Sequence, residues 1–262
     1  MVLSTETPHH LYFLRELRNR CRGVISLDLV IMEHREFPYR KLGLRHLKKH
    51  WYNPVQSLLL NPYIQFPYRQ KEQEAYELEH FFPNGNYDYD LDLRVEHVGS
   101  VNNDTTIASI KEISPDLILV YGTALVRSSV FELPTIATIN AHGGILPNYR
   151  GLDSNIWALW RGDYQNMGVS LHHMDKHFDT GPIYSMRKLP LASDISLVSL
   201  RYHTTLLATD MYVDLINTIV EERLKPQVQS ANSGRYYSYF PRLLKPLVER
   251  KLARYLENMR AK

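Results

Sequence analysis

The chain has 262 residues, enough for one large domain or for a core domain with an appendage. Hydrophobic residues make up 44% and charged residues 23%, the composition of an ordinary globular enzyme, and a formal net charge of +3 implies no strong polyanion partner, so a nucleic acid is not favoured. The single cysteine, Cys21, rules out an intrachain disulfide and fits a reducing compartment; no apolar run approaches a membrane span and the first residues lack a secretory pattern, so the expected location is cytoplasmic.

Residues 2–4 read as a short strand and 9–20 as a helix, with Cys21 at its end. Residues 26–32 alternate and are rich in branched side chains, which predicts a strand. Residues 35–92 break the rhythm. They mix Arg35, Arg40, Lys41, Arg45, Lys48 and Lys49 with Tyr39, His46, Trp51, Tyr52, Tyr63 and Tyr68, then end in an acidic stretch at 88–92. Such a segment reads either as a solvated insertion or as a binder of phosphate and base. Asn103 or Asp104 is placed to cap a helix running to Ile113. Residues 116–121 are an apolar run ending at Gly122, the pattern of a buried parallel strand.

Further strands are expected at 136–140 and 168–174, a short helix at 155–161 and a long helix within 196–222. In that long helix Leu200, Leu207, Met211, Leu215 and Ile219 lie near one face. From 227 onward the character changes. A turn and short strand are expected at 233–238, then a helix from Pro246 with Leu247, Val248, Leu252, Tyr255, Leu256 and Met259 spaced by three and four. That amphipathic helix packs either on its own domain or on a second copy, which leaves a homodimer open. Strands alternating with helices predict an α/β fold with a mainly parallel sheet covered on both faces, whose ligands sit beyond the carboxyl ends of the strands. The expected division is a catalytic domain over 1–225, carrying the insertion around 35–92, and a C-terminal extension over 226–262.

The chemistry concentrates in residues 139–151, Ile-Asn-Ala-His-Gly-Gly-Ile-Leu-Pro-Asn-Tyr-Arg-Gly. Asn140 and His142 are two apart, so an extended backbone puts both side chains on one face. If Asn140 closes its strand, the pair sits at the carboxyl edge of the sheet. A second polar loop, 173–182, holds Asp179 before Thr180 and Gly181. An amide, an imidazole and a carboxylate together suit acyl transfer to an amine. Asn140 and a protonated or donating His142 would stabilise the developing oxyanion, and Asp179 would raise the pKa of His142 and relay protons. His142, His172, His173, Asp175, His177 and Asp179 could also be read as metal ligands. Alternation puts His172 and His173 on opposite faces, however, and no metal is expected.

Asn140-Ala-His-Gly-Gly-Ile-Leu-Pro-Asn-Tyr-Arg-Gly151, then Gly168-Val-Ser-Leu-His172, then Asp179-Thr-Gly-Pro-Ile183 resembles the folate-dependent formyltransferases. The resemblance is strong over about 116–187 and weak over the first hundred residues. It implies a Rossmann-like sheet, 10-formyltetrahydrofolate as formyl donor, and catalytic roles for Asn140, His142 and Asp179. It also implies a pterin held between loops 121–126 and 176–179, with contacts from Ala124, Val126, Lys176 and His177. Many members have serine where Gly144 stands. The layout, a catalytic core followed by a short tyrosine-rich segment and helices, resembles the sugar N-formyltransferases best. The expected acceptor is therefore a small-molecule amine, the amino group of a nucleotide-linked amino-deoxy sugar. Hydroxyornithine, glycinamide ribonucleotide and methionyl-tRNA are the alternatives within the family; a metal-dependent hydrolase and a non-catalytic binding module are rivals outside it.

Overall fold

The structure is a computed structural model and describes residues 1–34, 39–49, 53–61, 69–85, 93–191, 194–220, 225–230 and 234–260. The first half runs β1 (Val2–Ser4), α1 (Pro8–Arg20), β2 (Val30–Glu33), α2 (Tyr39–Lys49), α3 (Pro54–Leu59), α4 (Gln70–Phe81), β3 (Val95–Val98), α5 (Asp104–Ile113), β4 (Leu117–Val120) and α6 (Ser128–Phe131). The second half runs β5 (Ala137–His142), β6 (Tyr149–Gly151), α7 (Ser154–Arg161), β7 (Gly168–His173), β8 (Ile183–Lys188), α8 (Leu200–Val220), β9 (Arg235–Tyr237) and α9 (Lys245–Arg260).

Seven strands form one sheet in the order β3-β2-β1-β4-β5-β7-β8. The first five are parallel; β7 runs antiparallel to β5, and β8 antiparallel to β7. This is the expected Rossmann-like, mainly parallel sheet. Its central strands are apolar on both faces because helices cover both. On one face Val2, Val30, Met32, Leu119 and Ile139 pack against Phe13, Leu14 and Leu17 of α1 and Met211, Tyr212 and Leu215 of α8. On the other, Leu3, Ile31, Ile118 and Val120 meet Ile110 of α5 and Val130 and Phe131 of α6. Cys21 is buried at the end of α1 in the first of these cores. Asn103 caps α5, accepting a hydrogen bond from the Thr106 N–H at 2.7 Å.

Strand limits follow the partners rather than the local pattern. The strand expected at 26–32 is confined to β2 because β1 and β3 offer partners only from Val30 onward. The strand expected to end at Asn140 continues to His142, because Ala141 and His142 pair with Leu171 and Ser170 of β7. Asn140 therefore does not close its strand. The edge strands β3 and β8 and helix α4 were not expected. Three of the six residues of β8 are exposed, so its sequence lacks the apolar alternation that marks a half-buried strand. Of the basic-aromatic segment, Arg35, Trp51, Tyr52, Tyr63, Tyr68 and the acidic stretch lie outside the described residues.

A smaller unit sits beside the main sheet. β6 and β9 form a two-stranded parallel sheet. Tyr149 and Tyr237 from it, with Leu159 of α7, Phe240, and Val248, Leu252 and Leu256 of α9, build a third core. Val248, Leu252 and Leu256 of the α9 stripe are thus turned onto their own chain, while Leu247 and Met259 are exposed. The loop from β5 to β6 carries the glycine-rich motif, so this small sheet borders the candidate site.

Candidate active site

Asn140 and His142 both project from β5, and Asp179 reaches them from the loop between β7 and β8. Asp179 has a left-handed backbone, φ 56°, a conformation that costs energy for most residues and recurs where a side chain must be aimed. Its Oδ2 accepts a hydrogen bond from the Gly151 N–H at 2.7 Å and lies 3.4 Å from His142 Nδ1. Its Oδ1 lies 3.3 Å from His172 Nε2. The predicted trio is therefore brought together, with a fourth member. His172 faces Asn140 across the β5–β7 register, and Asn140 Nδ2 donates to His172 Nε2 at 3.1 Å.

Proton positions follow from the partners. Tyr149 O, a carbonyl, can only accept, so His142 Nε2, 2.7 Å away, carries a hydrogen. His173 O likewise takes the hydrogen of His172 Nδ1 at 2.8 Å. The remaining ring nitrogens, His142 Nδ1 and His172 Nε2, thus face Asp179. Asn140 fills the second of these and keeps its other N–H and its Oδ1 without a partner among the described residues.

Asp179 raises the pKa of His142 as expected, but the net shift is downward. Burial lowers it, outweighing the Asp179 carboxylate, and His172 lowers it further. His142 is nearly inaccessible, so the cost of desolvating an imidazolium dominates. For Asp179 burial pushes upward, but His142, His172 and the Gly151 N–H together hold its pKa down at about 2. At neutral pH the cluster is a carboxylate facing a basic imidazole nitrogen, an arrangement ready to accept a proton.

The glycine at 144 has a steric cause. A Cβ there would stand 2.7 Å from Ser154 Cβ and 2.9 Å from His142 Nε2. The space that a serine would need is filled by Ser154 at the start of α7.

The residues expected to contact the pterin divide. The loop after β4 is pinned from outside: the Ala124 N–H donates to Glu33 Oε2 at 2.7 Å, Asn102 Nδ2 donates to Leu125 O at 2.7 Å, and Asn102 Oδ1 accepts from the Arg127 N–H at 2.7 Å. Glu33, buried at the end of β2, also accepts from the Val101 N–H. The Leu125 and Val126 N–H groups and the Val126 carbonyl make no hydrogen bond among the described residues. The Val126 side chain is buried and that of Leu125 is 55% exposed. The loop thus presents open backbone groups beside an apolar surface, which fits a flat heterocycle. Lys176 lines a separate cleft of about 390 Å³ with Phe131, Ile136 and Met174. His177 is exposed, its N–H bonded to Asp175.

Sequence reasoning had His172 closing the Gly168–His172 motif and weighed it as a metal ligand, but gave it no role beside Asn140. The signal for its place was the antiparallel register, which local alternation does not contain. His173 turns to the opposite face, where its Nδ1 lies 3.0 Å from the Tyr184 hydroxyl. Among the described residues no group of three or more His, Cys, Asp or Glu could hold a metal ion, and no helix is long and apolar enough to cross a membrane.

The sequence family described as formyl transferase matches residues 69–216. A methionyl-tRNA formyltransferase of Dictyoglomus thermophilum is 33% identical over 138 residues, 52% of this chain and 43% of that protein. One of Myxococcus xanthus is 34% identical over 122 residues, 46% of this chain and 38% of that protein. The chain thus spans less than half the length of these curated relatives. Among solved structures, glycinamide ribonucleotide transformylase 1 from Symbiobacterium toebii superposes with a TM-score of 0.58 at 17% identity, covering 87% of this chain and 93% of that one. A 4-N formyltransferase from Francisella tularensis superposes at 0.54 with 13% identity over 90% and 75%. At such identities these two bear on the fold alone. The sequence match covers more than half of the chain, including both motif loops: the chain belongs to the formyl transferase family.

Proposed function

We propose that this protein is an N-formyltransferase moving a formyl group from 10-formyltetrahydrofolate to a primary amine, that of a nucleotide-linked amino-deoxy sugar. The observation that carries the reaction class is Asp179, anchored on the Gly151 N–H and set 3.4 Å from the basic nitrogen of His142. The donor supplies an activated formyl carbon. The open backbone groups of Leu125 and Val126 and the exposed Leu125 side chain would hold its pterin, with Lys176 and His177 further along the opposite loop.

The roles follow from the hydrogen bonds. The free N–H of Asn140 points its dipole at the oxygen on which negative charge develops. His142 Nδ1 accepts the proton that the attacking amine sheds. Once protonated, His142 donates from Nδ1 and is stabilised by the Asp179 carboxylate. It can then return a proton to the leaving nitrogen. In its protonated state His142 stabilises the oxyanion by its positive charge, with Asp179 assisting the transfer. We assign the catalytic machinery to residues 1–225, with 226–262 as an extension bordering the acceptor side.

The test is formyl transfer from 10-formyltetrahydrofolate to a panel of nucleotide-linked amino sugars, glycinamide ribonucleotide, hydroxyornithine and methionyl-tRNA. Turnover with an amino sugar is expected. Asn140→Ala, His142→Ala and Asp179→Ala are each expected to lower kcat on the order of 10²-fold or more while leaving the circular dichroism spectrum unchanged. Near-normal kcat in any one of them removes that residue from the machinery. Methionyl-tRNA is the second reading, favoured by the sequence matches. Turnover with it alone would replace the sugar.

A further inference from the structure

Next to Asp179, β6, β9 and the loop after β7 hold three side chains that the reaction does not use. Phe178 directly precedes Asp179 and is 54% exposed. Tyr236 is 47% exposed, its ring centroid 5.6 Å from that of Phe178. The Tyr236 ring lies over Gly151, where a Cβ would come within 2.9 Å of its Cε2. Gly151 is the residue whose N–H anchors Asp179, so this aromatic pair stands at the mouth of the site.

The third side chain is Arg150. It pairs in register with Tyr236, so the two lie side by side on one face of the small sheet. Arg150 Nε is buried without a hydrogen-bond partner, and no ion pair to Arg150 occurs among the described residues. A part-buried guanidinium with an unmet donor and no counter-charge is costly, and an anion relieves it. Other arginines of this protein are matched: Arg201 grips Glu77 through two hydrogen bonds, and Arg20, Arg94 and Arg187 each reach a carboxylate.

From this juxtaposition we propose that Arg150, Phe178 and Tyr236 form the carrier subsite of the acceptor, which takes a nucleoside diphosphate. The guanidinium engages the phosphate, and the aromatic pair takes the planar base by stacking. This rests on the reading of the acceptor as a nucleotide-linked amino sugar. It adds the residues that recognise the nucleotide and places it on the Asp179 side of the small sheet. A cleft of about 320 Å³, lined by Tyr236 itself together with Arg161, Arg235 and Trp157, also offers arginines. Arg235 and Tyr237 alternate with Tyr236 along β9, so Arg235 lies on the face away from Arg150.

The test is calorimetric binding of UDP, dTDP and inorganic pyrophosphate to the full chain, with no folate present. Arg150→Gln is expected to weaken nucleoside diphosphate and pyrophosphate alike on the order of tenfold or more, the loss of a charge-assisted contact. Because this change could disturb β6, Phe178→Ala and Tyr236→Ala, both at exposed positions, provide the second measurement. They are expected to weaken the nucleoside diphosphates several-fold and leave pyrophosphate binding unchanged. Arg254→Gln on α9 serves as the charge control and should change neither. The proposal is overturned if no nucleoside diphosphate binds, if Arg235→Gln abolishes binding while the three named variants keep it, or if a CCA-ended RNA hairpin binds more tightly than the nucleotides. Nucleotide binding lost in the three variants, with formyl transfer absent for every amine, would uphold the subsite and sink the proposed reaction. Formyl transfer to an amine without a nucleotide, with no nucleotide binding, would do the reverse.

Discussion

Position 144 shows how one residue is chosen by its neighbours. Gly144→Ala would press a Cβ onto Ser154 Cβ and His142 Nε2 and is expected to destabilise the protein by about 1–3 kcal/mol, as overpacking does. Adding Ser154→Gly should restore much of the loss; urea denaturation of the single and double variants measures it, and no recovery would mean that the contact with Ser154 is not the cause. At the same scale, Asn140, His142 and Asp179 were legible because their spacing and order are rare. His172 was not, because its tie to Asn140 is made across strands. The sign of the His142 shift also escaped the sequence. Asp179 was visible as a neighbour that raises the pKa, whereas the burial that outweighs it belongs to the folded surroundings.

Among the elements, the loop after β4 depends on side chains from elsewhere. Glu33 at the end of β2 holds the Val101 and Ala124 N–H groups, and Asn102 clasps Leu125 and Arg127. Glu33→Gln can accept only one of those bonds well, so the loop is expected to loosen. The KM for 10-formyltetrahydrofolate should rise several-fold while kcat at saturation changes little; an unaltered KM would remove Glu33 from this positioning role. The start of α1 gives a pH dependence. Burial lowers the pKa of His9, with Arg201 adding to it. Burial likewise lowers that of His10, with His9 and Arg201 adding and Glu77 opposing. Both imidazoles are neutral in the folded state and protonate readily when unfolded. Their contribution is therefore intact above pH 6.5, the unfolded value, and declines as pH falls below it. Thermal midpoints should fall between pH 7.5 and 5.5, and His10→Gln should flatten that fall. A midpoint equally steep in the variant would assign the effect to other groups.

For the molecule as a whole, the described residues 234–260 are built into the fold. β9 pairs with β6, the Phe240 N–H donates to Asp153 Oδ2 at 2.9 Å, and α9 buries Val248, Leu252 and Leu256 against the third core. At about 1.5–3 kcal/mol per buried aliphatic side chain, removing α9 is expected to cost roughly 5 kcal/mol or more. A chain truncated after Phe240 should therefore melt earlier or aggregate, as differential scanning calorimetry would show. A truncated chain that melts normally but changes its mass in solution would instead make α9 an interface between copies.

By itself the sequence determined the mainly parallel α/β class, the helix running to Ile113 with a cap at Asn103 or Asp104, the long apolar face of α8 and the three polar residues of the candidate site. These rest on local signals: buried strands are continuously apolar, helices repeat every three to four residues, and the motif residues are contiguous or close in the chain. Tertiary structure alone decided where β2 and β5 end, that β8 exists, that His172 joins Asn140, that His142 is lowered rather than raised, and that Arg150 stands uncompensated beside Tyr236. Each of these depends on pairing or burial between segments distant in the chain. Register and desolvation are properties of the assembled sheet, and no stretch of sequence carries them alone.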